Sequence, residues 1–353
     1  MKDFFNIAKK VYSHLEDDIS KYLFECRMRY HYTGEMEYII KIPCEYRNLS
    51  ADIEQFAKGL YGGNGKKIIF GAGKNGKTLA QLHSGLFEGF VDNFCAEKME
   101  ETTQLPIYRL DELIEIYGGI EDIKFVISVS DKTYQRSIEQ QLLDNGAIAS
   151  NIVRMVFDWR NNCSQYFDLF VPKENETFVD CGCWDGGTAF RFAGWCGKLG
   201  YKKIWSFEPD KNSYEECKRV LSILGKCEVY PYGVSDKCGK VSFVNNGNET
   251  ARIANASDID EQLNIIDTIS LDEFLKDEVV TFIKMDIEGA EYDALVGASE
   301  LIRNQKPRLA ISIYHNIEHM LTIPELLLKL RPDYKFYIRQ YSLYSNETIL
   351  YAE

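Results

Sequence analysis

Long apolar runs are missing from this chain: nowhere in its 353 residues do the roughly 18 consecutive apolar positions of a membrane helix occur together. The opening residues MKDFFNIAKKVYSHLEDD are too charged for the apolar segment of a signal peptide, so the expected location is the cytoplasm, without membrane insertion. Positive charge is short as well. Against 54 Asp and Glu there are 41 Lys and Arg, and the net charge of -13 repels a phosphate backbone and an anionic lipid surface alike. Nucleic acid is therefore not an expected partner. None of the ten cysteines stands in a C-x-x-C pair, so reduced thiols acting as small apolar fillers are expected rather than a disulfide framework. What is present is an ordinary globular composition, 45% hydrophobic, in a chain too long for one core, which calls for two domains or more.

Residues 1–60 carry helical spacing and many aromatics, as in ISKYLFECRMRYHY (19–32), and read as a helical cap or a homodimer surface. YGGNG (61–65) is a turn-rich linker. KIIFGAGKNG (67–76) is a buried strand with a glycine turn, followed by a helix, by GFVDN (89–93), by the strand KFVISVS (124–130) and by a helix over 133–146. That alternation predicts a small parallel sheet over 61–157. It restarts at Thr177, with strands expected near 177–180, 202–207, 227–231, 281–286 and 308–314. YKFYIRQY (334–341) and NETILYA (346–352) then alternate across a short gap and predict an antiparallel hairpin. The expected fold class is α/β: a helical cap, a smaller Rossmann-like parallel sheet, and over 165–353 a seven-stranded Rossmann-like sheet with a terminal antiparallel hairpin. This last layout resembles the sheet of the S-adenosylmethionine-dependent methyltransferases. The polar stretch 245–260 is long for a connection inside a domain and reads as a binding loop or lid.

The richest segment is FVDCGCWDGGT (178–188), an apolar strand ending at Asp180 and opening a D-x-G-x-x-x-G turn into a helix. Gly182 and Gly186 allow a tight backbone path and close approach of a ligand, and the helix aims its first amides into the same space. A disulfide between Cys181 and Cys183 would make little sense there. A sulfonium cofactor with an amino-acid tail, a ribose and an adenine is served by Asp180 and the two glycines at its tail. Glu208, twenty-eight residues after Asp180, serves the ribose hydroxyls, and YGVSD (232–236) the adenine, while Asp286 ends the fourth strand beside the transferable methyl group.

FVDCGCWDGGT, FEPD (207–210), GVSDKCGKVSF (233–243), LDEFL (271–275) and IKMDIEGAEYDALVGA (283–298), with its K-x-D-x-E-G-x-E run, closely resemble the FkbM-type methyltransferases over 165–353. The resemblance implies methyl transfer from S-adenosyl-L-methionine to a hydroxyl oxygen of a sugar, glycan precursor or related small molecule. It implies a cofactor set of Asp180, Cys181, Gly182, Gly186 and Thr188 at the first turn, Glu208 and Pro209 at the second, and Val234, Ser235 and Asp236 at the third. Cys181 and Cys183 depart from the small apolar residues common there.

A sugar hydroxyl is a poor nucleophile near pH 7 and needs a base or a metal. Asp286, Glu288, Glu291 and His315 are the candidates, with His315 or Asp286 favoured as the base and Glu288 beside them; Glu288 and Glu291 read equally well as charges at a helix N-terminus. His315 and His319 are four apart, but no third ligand is near in sequence and the H-E-x-x-H order is absent, so no metal site is assigned. A magnesium ion beside Asp286 would suit the chemistry, although nothing in the sequence demands one.

In the first sheet, Gly71, Gly73 and Gly76 form G-x-G-x-x-G between a strand and a helix, and Asp92 follows Gly71 by twenty-one residues, the placement of a ribose-binding acid. The segment also resembles the nucleotide-sugar-binding domain at the front of some sugar acyltransferases, through GAG, GF-x-D, LPIY (105–108) and DELI (111–114). The resemblance implies a nucleotide or nucleotide-sugar in this crevice. No Tyr-x-x-x-Lys pair accompanies it, which favours binding over redox chemistry, and a sheet kept as scaffold is the plainer reading. Two rival functions stand beside methyl transfer: a nicotinamide-dependent nucleotide-sugar oxidoreductase or epimerase, and a non-catalytic recognition protein of polysaccharide biosynthesis.

Overall fold

A computed structural model describes residues 2–63, 65–156, 165–244, 252–253 and 263–353. The chain divides into two compact units, Leu49–Asn162 and a second made of Met1–Asn48 with Cys163–Glu353.

The middle unit opens with the helix Ala51–Tyr61, whose first turn is capped by the Ser50 side chain accepting from the Ile53 amide. Five strands follow, β1 (Lys67–Phe70), β2 (Gly89–Val91), β3 (Ile107–Tyr108), β4 (Lys124–Ile127) and β5 (Ile152–Arg154). They pair in parallel in the order β3-β2-β1-β4-β5. The central strand β1 is buried at all four positions, as a parallel strand covered on both faces must be. β3 and β5 are only two and three residues long, too short for alternation to show in the sequence.

In the second unit the strands are β6 (Glu176–Cys181), β7 (Tyr201–Phe207), β8 (Cys227–Tyr230), β9 (Gly233–Val234), β10 (Gly239–Val244), β11 (Arg252–Ile253), β12 (Leu263–Ile269), β13 (Phe282–Met285), β14 (Arg308–Ser312), β15 (Phe336–Gln340) and β16 (Thr348–Ala352). Seven of them form one sheet in the order β15-β16-β14-β13-β6-β7-β8, parallel except for the terminal hairpin β15-β16. This is the expected methyltransferase layout. The chain runs from β6 outward to β8 on one side, then returns to β13 and runs outward on the other, so the order reverses between β6 and β13. Open α/β sheets bind ligands at such a reversal, beyond the carboxyl ends of the strands.

A second, four-stranded sheet, β11-β10-β12-β9, was not anticipated; β10 pairs antiparallel with β11 and β12, and β12 pairs in parallel with β9. The stretch 245–260, expected as a lid, lies outside the described residues except for Arg252–Ile253.

The first 48 residues also differ from the expected separate cap. Val11, Leu15, Leu23 and Phe24 join the same core as Phe336, Ile338 and Leu350. The Phe336 amide donates to the His14 carbonyl, the Glu16 amide donates to the Phe336 carbonyl, and Asp17 pairs with Arg339 at 2.6 Å. These helices cover β15, which would otherwise present an open sheet edge. The helix Ala51–Tyr61 belongs to the middle unit instead. On the far face, Phe178 stacks on Phe192 at 4.3 Å and meets Phe282 edge-on at 5.3 Å, which fixes the helix Gly187–Cys196 against β6 and β13. Among the described residues no helix is long and apolar enough to cross a membrane.

Candidate functional site

The reversal point is built around Gly182, which leaves β6 with φ +77. A Cβ there would lie 2.0 Å from the Asp286 carbonyl oxygen, so only glycine lets the turn after β6 pass the end of β13. Gly186, also at positive φ, starts the helix Gly187–Cys196 and faces the Leu221 side chain. Thr188 sits in the first turn of that helix and accepts from Arg191 at 3.2 Å.

Asp180, expected to face the cofactor's amino-acid end, is instead fully buried and paired with Lys284 at 3.1 Å. The Lys284 ammonium, itself buried, also donates to the Gly182 carbonyl at 2.6 Å. Burial raises the Asp180 carboxyl and Lys284 pulls it back, and the pair supports the turn from beneath. Cys181 has no exposed surface and Cys183 almost none, and burial pushes both thiols up, as apolar fillers require.

Glu208 lies just past β7, 8% exposed. One oxygen accepts from the Trp184 amide at 3.0 Å and the other from the Asp210 amide at 2.9 Å, so it ties the first turn to the second. Burial pushes its carboxyl up to about 7; the two amides and Lys284 pull it down, and Asp210 adds to the rise. Pro209 follows it in the same turn. Val234 ends β9, and Ser235 donates from its amide to the Ile269 carbonyl at 2.9 Å and from its hydroxyl to Asp236 at 3.2 Å. The third turn is thus anchored to the small sheet.

At the ends of β13 and β14 the structure brings together Asp286, Glu288 and His315. His315 Nε2 stands 3.4 Å from Asp286 Oδ1 and 3.6 Å from Glu288 Oε2. Its other nitrogen, Nδ1, donates to Glu291 at 2.8 Å. Glu291, fully buried, also accepts from the Ile287 amide at 3.0 Å and has His319 beside it at 3.4 Å. It does stand at the N-terminus of a helix, Glu291–Val296, but fully buried and against two histidines. Burial would lift Glu291, but His315 and His319 hold it at about 2. Burial alone would lower His315; Glu291, Asp286 and Glu288 outweigh it and raise His315 to about 9. Glu288 is driven up to about 7, by burial and by Asp286, Glu291 and Glu347, against the pull of His315.

Sequence reasoning missed the groups that hold Asp286. The Tyr166 hydroxyl donates to Asp286 Oδ2 at 2.6 Å and Tyr314 donates to Oδ1 at 3.4 Å. Glu347, from the turn of the terminal hairpin, accepts from Gln165 at 2.6 Å and lies 3.5 Å from the Tyr314 hydroxyl, whose single proton it shares with Asp286. Lys284 did leave a signal, a lone charge in an otherwise apolar strand; nothing in the sequence marks Tyr166 or Glu347.

In the middle unit Gly71 takes φ +110, and a Cβ on Gly76 would lie 2.0 Å from the Gly71 carbonyl oxygen, so the turn is as tight as its motif implies. Around Gly73 there is open space. Asp92 accepts from the amides of Ala72, Phe94 and Cys95 at 3.0–3.1 Å, so both its oxygens already hold the local backbone.

Residues 180–336 match the family model of the methyltransferase FkbM domain. The 2-O-methyltransferase NoeI of Sinorhizobium fredii is 26% identical over 151 residues, which cover 37% of this chain and 61% of that protein. The match therefore spans less than two thirds of that relative's length. The crystal structure of methyltransferase FkbM from Methylobacillus flagellatus KT superposes with a TM-score of 0.53 at 19% identity, over 94% of this chain and 98% of that one, a likeness of fold. Over residues 180–336, less than half of its length, the chain is thus similar to the methyltransferase FkbM domain.

Proposed function

We propose that this chain is an S-adenosyl-L-methionine-dependent O-methyltransferase acting in the cytoplasm on a hydroxyl of a sugar, glycan precursor or related small molecule. The observation that carries the reading is the reversal point itself. The glycine turn after β6, the Glu208 carboxylate after β7 and the Asp286, Glu288 and His315 cluster after β13 and β14 all stand at the carboxyl ends of four adjacent strands. The residues fit the cofactor: Gly182 excludes a side chain where the backbone turns, and each Glu208 oxygen, bound to one amide, keeps a lone pair for a ribose hydroxyl.

When bound, S-adenosylmethionine supplies a methyl group on a positively charged sulfur. Asp286 would take the acceptor's hydroxyl proton, leaving the oxygen free to receive the methyl group that the bound cofactor would supply. It is chosen over His315 on geometry. The Asp286 side chain is 21% exposed, whereas that of His315 is 8% exposed with Nδ1 committed to Glu291. Tyr166 and Tyr314 orient the Asp286 carboxylate.

Glu208 gives the cofactor reading a pH test. It is protonated below about 7 and ionised above, and only the ionised form accepts two ribose hydroxyls. Affinity for S-adenosylmethionine, measured by calorimetry, is expected to rise about tenfold between about pH 6 and pH 8. Glu208→Gln should bind more weakly and lose that dependence; a variant with unchanged affinity and slope would remove Glu208 from the site.

For the middle unit, the tight Gly71 to Gly76 turn and the open space at Gly73 support binding of a nucleotide or nucleotide-sugar. Three amides leave Asp92 one lone pair, against two on Glu208, too few to accept both hydroxyls of a dinucleotide ribose, which weighs against the oxidoreductase alternative.

A further inference from the structure

We infer that Asp286, Glu288 and His315 form a binding site for one divalent first-row metal cation. One ligand atom from each of the three lies within 4.8 Å of the others. Two independent features turn this cluster into a site. The first is His315 Nε2, a nitrogen without a hydrogen-bond partner among the described residues, on a side chain only 8% exposed and aimed between two carboxylates. Its separations of 3.4 and 3.6 Å from those oxygens exceed the roughly 2.8 Å of a charge-assisted hydrogen bond. Ligands about 2.1 Å from a common ion stand about 3.0 Å apart at a right angle and about 3.4 Å apart at the tetrahedral angle. The spacing suits an ion between the groups better than a direct contact.

The second feature is the outer shell. A metal-binding imidazole commonly donates its other N–H to a carboxylate, which fixes the tautomer and ring orientation. His315 Nδ1 does so to Glu291, which is held in turn by the Ile287 amide. Asp286 is likewise fixed by Tyr166. One imidazole and two carboxylates is a mixed nitrogen and oxygen set, which suits manganese, iron or zinc better than calcium, an ion that takes six to eight oxygens. His319 is not a ligand here; it stands behind Glu291. The site assembles residues from two strand ends, which is why spacing in sequence did not disclose it.

The inference rests on the methyl-transfer reading for its role alone: an ion at the acceptor's end of the crevice would lower the pKa of a bound hydroxyl. Binding is tested on the full chain with manganese(II), by loss of the free-ion paramagnetic resonance signal. One ion per chain is expected, with a nitrogen coupling in the spin-echo spectrum. Glu288→Gln and Asp286→Asn should each weaken binding at least tenfold, and Glu291→Gln by about 10- to 100-fold, as outer-shell changes do. His315→Gln should abolish the nitrogen coupling. Full retention of the free-ion signal by the wild-type chain, or bound manganese without nitrogen coupling, overturns the inference. Calorimetry with S-adenosylmethionine separates the two readings: manganese bound without cofactor sinks the methyl-transfer proposal and leaves the metal site standing, and cofactor bound without manganese does the reverse.

Discussion

Gly182→Ala is expected to destabilise the unit that holds the seven-stranded sheet by about 4 kcal/mol, at the extreme of single substitutions, and to lower its melting temperature by about 10 °C. Two costs combine. An alanine at φ +77 occupies the left-handed region, at about 1–2 kcal/mol. Its Cβ would also meet the Asp286 carbonyl oxygen at 2.0 Å, with the Asp286 carbonyl carbon and the Ile287 side chain both at 3.0 Å. The obstacle is backbone, so no rotamer change relieves it; β6 and β13 must separate at the reversal point, which should also remove cofactor binding. Gly73→Ala is the internal comparison, with open space around it and an ordinary φ of -76, and should leave the melting temperature almost unchanged. Equal melting of the two variants by calorimetry would refute the account of the turn.

Asp286→Asn is expected to lower kcat for methyl transfer by about a hundredfold to ten-thousandfold, the range associated with loss of a positioned proton acceptor. Asparagine keeps the shape and can still receive the Tyr166 hydroxyl on its carbonyl oxygen, so the fold should survive. The charge, and with it the ability to take a proton, is lost. Because Glu208 and Gly182 are untouched, affinity for S-adenosylmethionine should stay within about threefold of wild type, against the factor of ten that 1.4 kcal/mol represents. The measurement is transfer of labelled methyl to a panel of nucleotide-sugars and free sugars. A variant that turns over as fast as wild type would show that the proton leaves by another route.

The seven-stranded sheet was largely legible because parallel strands covered on both faces leave short apolar runs, and those of β6, β7 and β13 are each followed closely by a glycine or a carboxylate. Gly182, Glu208 and Asp286 stood out in the sequence for that reason, and the fold brings them to the strand ends at the reversal point. The small sheet left no comparable trace: β9 is two residues long, and β10 exposes Gly239 and Lys240. Direction of burial was likewise hidden. Asp180 reads as a strand-end acid like Asp286, yet the partner that draws it inward, Lys284, lies 104 residues away and only pairing of β6 with β13 brings the two together. Glu291 and His319 belong to the same class, polar residues whose value depends on a neighbour that folding supplies. Glu347 reaches the site from the hairpin turn, at a positive φ of 54 that no sequence signal announced.

Placement of the first 48 residues against β15 sets an order of events during synthesis. The strand these helices shelter is translated only after the whole of Leu49–Asn162 and the strands β6–β14. At ordinary elongation rates, that interval lasts on the order of tens of seconds. Throughout it Val11, Leu15, Leu23 and Phe24 have left the ribosome without their final cover, so these residues are the ones for a chaperone to guard, while the middle unit can already have closed its own core.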